Sequence, residues 1–579
     1  MNKLSPFLFL LVIVLFSCNN KKPADLLITG GTIYTVNDAQ PIVEAVVVDA
    51  DTIVFAGSEK EARDWVGEHT EIIDLKGNTM IPGFIEGHGH FMGVGANELD
   101  LDLSGAANFE EIVEQVRLAV SKAKPGQWIL GRGWHQDKWD KKPADMVKGF
   151  PSHGELSKVS PNNPVFLSHA SGHMSLANAK AMEIAGVNLL SIESLNKVNE
   201  EGGEIIRDVH GNPTGLFNEN AESAILKFIP ANDSDRLRKA FDLATKACQR
   251  NGITSFQDAG VDREMIEFYK TQYNKEKLGV RLYVMVTGWN RELVHEWFKK
   301  GPEIDPKHWL TIRSIKLNCD GALGSRGAWL LESYTDQPDV YGMATLPMDT
   351  VLSTSREALQ AGFQVCSHAI GDRANREILD RYEAAMKENP DVKDARFRIE
   401  HAQHINPTDI PRFASLGVIP AMQAIHMSSD RPWAIERLGE KRIKEGAYMW
   451  QSLLKSGAKI VNGTDAPVEP VNPIPSFYAS VTRMTLKGEP EGGYEPDEKM
   501  TREQALRSYT LDAAYGAFEE KFKGSIEPGK LADFAILSKD IMTVPEKEIL
   551  STEVVKTIVG GKVVYEKATF INEGVLDKK

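Results

Sequence analysis

Two histidines, His88 and His90, close the run Ile81-Pro-Gly-Phe-Ile-Glu-Gly-His-Gly-His90. In an extended strand, residues i and i+2 face the same side, so the two imidazoles aim at one point. Gly87 and Gly89 leave space around them. Imidazole is a good ligand for zinc, iron, nickel and related ions. The pair alone does not decide, because two histidines on a surface strand have the same spacing.

Other positions add to it. His368 follows Phe363-Gln-Val-Cys-Ser, His401 closes Phe397-Arg-Ile-Glu, and Asp465 follows Ala458-Lys-Ile-Val-Asn-Gly-Thr. Each is a ligand-type side chain at the C-terminal end of a strand-like run, where barrel enzymes place their active sites. Lys316, inside Ile312-Arg-Ser-Ile-Lys-Leu-Asn, puts a cation in a buried strand, which is costly unless it is modified or paired.

The elements that must carry these residues are strand-like runs at 83–90, 253–258, 280–286, 312–318, 363–368, 397–401, 418–423 and 459–463. Helix-length segments such as 235–250 and 374–387 separate most of them. Eight such alternations predict an α/β fold, a (β/α)8 TIM-like barrel, with a doubly wound sheet as the arrangement that periodicity leaves open. Two Gly-Gly hairpins bracket the chain, one around Gly30-Gly31 and one around Gly560-Gly561. They predict a small β-sandwich-like domain built from both chain ends. More than a hundred residues separate the first two strands, a gap that calls for a large insertion after strand 1. The expected layout is 25–82 and 521–570 for the β domain and 83–520 for the barrel, with its insertion at about 128–220.

The 579 residues carry 67 basic and 81 acidic side chains, a net charge of −14 with no basic stripe, which argues against a nucleic-acid partner. Lys3 precedes an unbroken apolar run, Phe7 to Phe16, then Ser17 and Cys18. This reads as a secretory signal over 1–17, too short to span a bilayer as a helix. Its ending is similar to a bacterial lipobox, which predicts lipidation at Cys18, a polar tether over 18–24, and a lipid anchor at the periplasmic or outer-membrane face of the cell envelope. Cys248, Cys319 and Cys366 are too few for a disulfide framework and are expected as buried free thiols.

Set in order, seven segments resemble the amidohydrolase superfamily, in particular its N-substituted formamide deformylase-like branch. They are Pro82-Gly-Phe-Ile-Glu-Gly-His-Gly-His90, Gly131-Arg-Gly-Trp134, Ile315-Lys-Leu-Asn-Cys-Asp-Gly-Ala-Leu-Gly-Ser325, His368-Ala-Ile-Gly-Asp-Arg373, Glu400-His-Ala-Gln403, Gly463-Thr-Asp-Ala-Pro467 and Gly524-Ser-Ile-Glu-Pro-Gly-Lys-Leu-Ala-Asp533. Glu86 departs from the pattern, since relatives often carry Asp there. The resemblance implies one or two divalent transition-metal ions, zinc foremost. His88, His90 and Asp465 would hold one, His368 and His401 a second, and Lys316 would bridge them as a carbamate. It also implies C–N bond cleavage by metal-activated hydroxide, with Asp465 as general base and then acid.

Further candidates for the substrate pocket are Trp134, His173, Asp320, His426 and Asp430. The expected partners are a small amide-type substrate, the membrane through the lipid anchor alone, and a second copy of the chain. Ester or N-acetyl hydrolysis on the same site, and a non-catalytic binding or regulatory lipoprotein, are the competing readings.

Overall fold

The structure, a computed structural model, describes residues 22–187, 194, 197–198, 202–230 and 234–568. Cys18, the signal segment and most of the tether lie outside the described residues. All eight expected barrel strands are present: β1 (Phe84–Gly89), β2 (Ile253–Val261), β3 (Arg281–Thr287), β4 (Leu310–Asn318), β5 (Gln364–Ala369), β6 (Arg398–His401), β7 (Ile419–Met422) and β8 (Val461–Asn462). Each pairs in parallel with the next, in chain order. Burial on both faces explains why they read as nearly unbroken apolar runs.

Helices occupy the intervals between strands, as a right-handed crossover requires. Arg263–Asn274, Arg291–Lys300, Met348–Ala361 and Asp372–Glu388 each carry the chain back from one strand to the next. Asp262 and Asn290 cap the first two by accepting from the backbone N–H three residues on, a contact typically worth about 1 kcal/mol.

The eighth and first strands approach without a backbone ladder among the described residues. A Cβ on Gly87 would lie 2.4 Å from the Asn462 carbonyl oxygen, so glycine is what allows the approach. Two bonds near the C-terminal ends of these strands stitch the seam: Asp465 N–H donates to His88 O at 2.8 Å and His90 N–H to Ala466 O at 2.7 Å.

Both chain ends meet in one eight-stranded sheet, five strands from Leu26–Pro82 and three from Phe534–Glu566. The Gly560-Gly561 hairpin is present between Val554–Val559 and Lys562–Glu566, with positive φ at both glycines. The Gly30-Gly31 hairpin is not. Leu26–Tyr34 is one strand, and its register slips between Thr29 and Ile33. Gly30 takes a positive φ there, but a Cβ on Gly31 would sit 2.1 Å from Asn78 O, so the pair makes a bulge that passes the strand from one parallel neighbour to another. Beneath the barrel, Arg281 at the start of β3 forms a buried ion pair with Asp533 at 2.7 Å.

The insertion also starts earlier than expected. Its six-stranded sheet begins at Leu101–Asp102 and runs through Pro213–Glu219, packed on the amphipathic helix Phe109–Lys122. A two-residue strand carries no periodic signal, which is why its start was illegible. Cys248, Cys319 and Cys366 are buried free thiols. No helix among the described residues is long and apolar enough to cross a membrane.

Candidate metal centre

A cavity of about 1180 Å3 opens at the C-terminal ends of the strands. His88 and His90 reach it from β1, Lys316 from β4, His368 from β5, His401 from β6 and Asp465 from just past β8. All six expected metal-site residues therefore line one space. His401 and Asp465 hold their backbones in the left-handed region, at φ 74° and 56°. For residues other than glycine that conformation costs of order 1–3 kcal/mol and is retained where function requires it.

The imidazoles are oriented from behind. His90 Nδ1 lies 3.0 Å from Ala259 O, an acceptor, so Nδ1 carries the proton and Nε2 presents a lone pair. His401 Nδ1 is 2.8 Å from Gln423 Oε1, and Gln423 Nε2 donates to Ala421 O, which sets the amide's orientation. His88 Nδ1 bonds Glu400 Oε2. Three Nε2 atoms are thus turned towards the cavity, each ring backed by a fixed acceptor at Nδ1, as metal-binding histidines are.

Among the described residues, His88, His90 and Asp465 form a group whose ligand atoms all lie within 4.8 Å of one another. Asp465 Oδ1 is 3.3 Å from His90 Nε2 and 3.6 Å from His88 Nε2. His368 and His401 do not join that group, although their rings are 4.4 Å apart and the His401 ring is 4.9 Å from that of His88. One compact donor set is present, with a second pair of imidazoles beside it.

Two atoms test whether these residues suit a cation. Asp465 Oδ1 and His368 Nε2 are buried without a hydrogen-bond partner. Buried polar atoms are ordinarily paired, so two orphaned polar atoms on side chains lining one cavity fit a metal ion well. Protonation agrees: burial, with the Lys316 charge, lowers His88 to about 4, and burial holds His368 and His401 well below the ordinary histidine value. Burial alone would raise the Asp465 carboxyl, but the imidazoles of His90, His401 and His88 outweigh it and hold it well below the usual carboxylate range.

Lys316 Nζ is buried 3.3 Å from His88 Nε2. Burial lowers its pKa against the pull of Glu400 and Asp465. Asp320 accepts from the backbone N–H groups of Trp329, Ile370 and Gly371 at 2.8–3.0 Å. It thereby ties the long loop after β4 to the end of β5, and its Oδ1 stands 3.4 Å from His368 Nε2.

The insertion supplies the outer wall. His173 lines the cavity, its ring 4.8 Å from that of His368, and its Nδ1 bonds Glu219 Oε2 at 2.8 Å. Trp134 is elsewhere. It is buried in the insertion core against Trp139, with Nε1 donating to Leu167 O. His426 and Asp430 do not line the cavity either. They lie on the helix Ala424–Gly446, and the His426 ring stacks against that of His401 with centroids 6.2 Å apart.

Several contributors were not anticipated from the sequence. Glu400 orients His88 and is itself clamped by Arg398, whose Nε and Nη2 donate to it at 2.7 and 2.8 Å. Gln423 orients His401. Glu219, Glu222, Trp289 and Trp329 join the cavity wall. Two signals pointed to Glu400: its place in the segment Glu400-His-Ala-Gln403, and an acidic residue inside a buried strand, where such a charge must be paired.

The chain matches the amidohydrolase family over residues 71–565, and it belongs to that family. It is 34% identical to Protein LONG AFTER FAR-RED 3 of Arabidopsis thaliana, over 94% of this chain and 92% of that one. Identity to the N-substituted formamide deformylase of Arthrobacter pascens is 27%, covering 94% and 98%. Among solved structures, an uncharacterized metal-dependent hydrolase from Pyrococcus horikoshii OT3 superposes with a TM-score of 0.72 at 27% identity, covering 90% of this chain and 99% of that chain.

Proposed function

We propose that the chain is a metal-dependent hydrolase that cleaves a C–N bond in an amide, an N-substituted formamide or a cyclic amide. The observation that carries this reading is the set of open donors: three imidazoles with Nδ1 tied back, and an unpartnered Asp465 Oδ1, all facing one cavity. The likeness to an N-substituted formamide deformylase supports the bond type. His88, His90 and Asp465 would hold one divalent ion, zinc foremost, with His368, His401 and a carboxylated Lys316 as the place for a second. Such an ion supplies Lewis acidity, polarising a carbonyl oxygen and acidifying water.

The chain's own residues do the rest. Asp465 takes the proton from the attacking water and delivers it to the departing nitrogen. His173, steadied by Glu219, faces the second imidazole pair and is placed to donate to the substrate's developing oxyanion. The insertion and the loop after β4 wall the cavity.

The test is metal loading followed by a panel of N-formyl amines, N-acyl amines, cyclic amides and esters. Turnover of the amides, lost on chelation and restored by zinc, is the expected result. A folded protein that gains no transition metal overturns the reading, and ester turnover alone overturns the C–N assignment. We also propose that a lipid on Cys18 holds the enzyme at the bacterial cell envelope, supported by the basic, apolar and small-residue order of positions 3–18.

A further inference from the structure

Where β1 and β8 lack a backbone ladder, a side chain stands in the gap. Glu86, on β1 and 1% exposed, accepts from the Thr464 backbone N–H at 2.6 Å and from the Thr464 hydroxyl at 2.9 Å. Thr464 Oγ1 in turn accepts from Ala466 N–H at 3.2 Å. The residue between them is Asp465. Its own N–H is bonded to His88 O, and Ala466 O takes the His90 N–H.

Room for this carboxyl is built in. A Cβ on Gly463 would lie 2.5 Å from Glu86 Oε1 and 2.7 Å from the His88 nitrogen. The three residues of the compact donor group therefore sit on two chain segments joined by two backbone hydrogen bonds and, through Thr464, by one buried carboxyl. Asp465 needs such restraint, because its left-handed backbone is not a conformation it would keep unaided.

We propose that Glu86 is a positioning residue for the metal centre: it locks Thr464 across the seam and so fixes Asp465 against His88 and His90. This rests on the reading of those three residues as metal ligands. Glu86 touches neither substrate nor ion. Its contribution is to the affinity for the ion and to the aim of the Asp465 carboxylate.

The experiment is zinc titration of Glu86→Gln, Thr464→Val and Thr464→Ser beside the wild-type protein, with circular dichroism to check folding. Glu86→Gln and Thr464→Val should bind zinc about 10–100-fold more weakly, the range for losing a group that orients a ligand. Their kcat should fall more than KM rises, and Thr464→Ser, which restores the hydroxyl, should return both towards wild type. Arg281→Lys, which loosens the ion pair at the opposite end of the barrel, controls for simple destabilisation: it should lower Tm and leave zinc affinity alone. Wild-type affinity in folded Glu86→Gln or Thr464→Val overturns the inference, as does an equal loss in Arg281→Lys. Should Glu86→Gln not fold, the threonine pair decides by itself. A wild-type protein that binds no zinc fails the metal-centre reading instead, so the two failures are distinguishable.

Discussion

Glu400, the residue before His401 on β6, reaches across the barrel and bonds Nδ1 of His88 on β1. One strand thus presents a ligand to the cavity and, from the next position, orients a ligand on another strand. Arg398 completes the chain by holding both carboxylate oxygens of Glu400 and the carbonyl of Gly87 at 2.7 Å.

Glu400→Gln is therefore expected to weaken metal binding about 10–100-fold, read as zinc lost at lower chelator concentration. It should also cost stability of about 3–5 kcal/mol, because Arg398 is left as a buried charge without its partner. Unchanged metal retention would show that His88 does not depend on Glu400.

Asp465→Asn should lower turnover by about 10²–10⁴-fold, the range for losing a general acid–base group. The measurement pairs kcat with metal content, so that lost chemistry is separated from lost ion. Near-normal turnover with metal bound would remove Asp465 from proton transfer.

Lys316 provides a chemical test. Intact-mass measurement under mild, non-acidic conditions should show the added mass of one carbon dioxide, lost on acidification. Lys316→Ala should be inactive and partly rescued by a short carboxylate such as formate, which can fill the vacated oxygen-ligand position. An inactive variant that formate leaves unchanged, together with an unmodified mass, would mean that the amine itself is the working form.

The His173–Glu219 contact makes stability pH-dependent. Burial would lower the His173 imidazole, but the Glu219 carboxylate beside it outweighs burial and raises it above its ordinary value. The contact's contribution is then full below a pH of about 6.5 and is lost as pH climbs through the raised folded value. The Tm difference between wild type and Glu219→Gln should shrink as pH rises from about 6 towards about 9. A difference that stays constant or grows would contradict the charged pair.

Cys18→Ala should move the protein from the membrane fraction to the soluble fraction and abolish incorporation of a labelled fatty acid. Retention in membranes without label would point to another anchor.

Much of the site was legible before folding. In a parallel barrel each strand is buried on both faces, so its apolar run is almost continuous, and a polar ligand that ends it stands out. His88, His90, His368, His401 and Asp465 all had that signature. Lys316 had the complementary one, a cation inside an apolar run. Residues on helices or in the insertion lacked any such frame. Trp134, His173, His426 and Asp430 looked equally plausible as pocket residues, yet one lines the cavity and three do not. Which way each faces depends on how its element docks.

What the sequence determined alone is the local order: eight strands, their intervening helices, and ligand-type side chains at the ends of four of them. What only the tertiary structure decided is how distant positions meet. Glu400 and His88 lie 312 residues apart, and Glu86 and Thr464 lie 378 apart. Strand spacing and side-chain alternation are local properties, written into neighbouring residues. Which carboxylate orients which imidazole follows from barrel closure, which brings the first strand beside the eighth, and no local pattern encodes that.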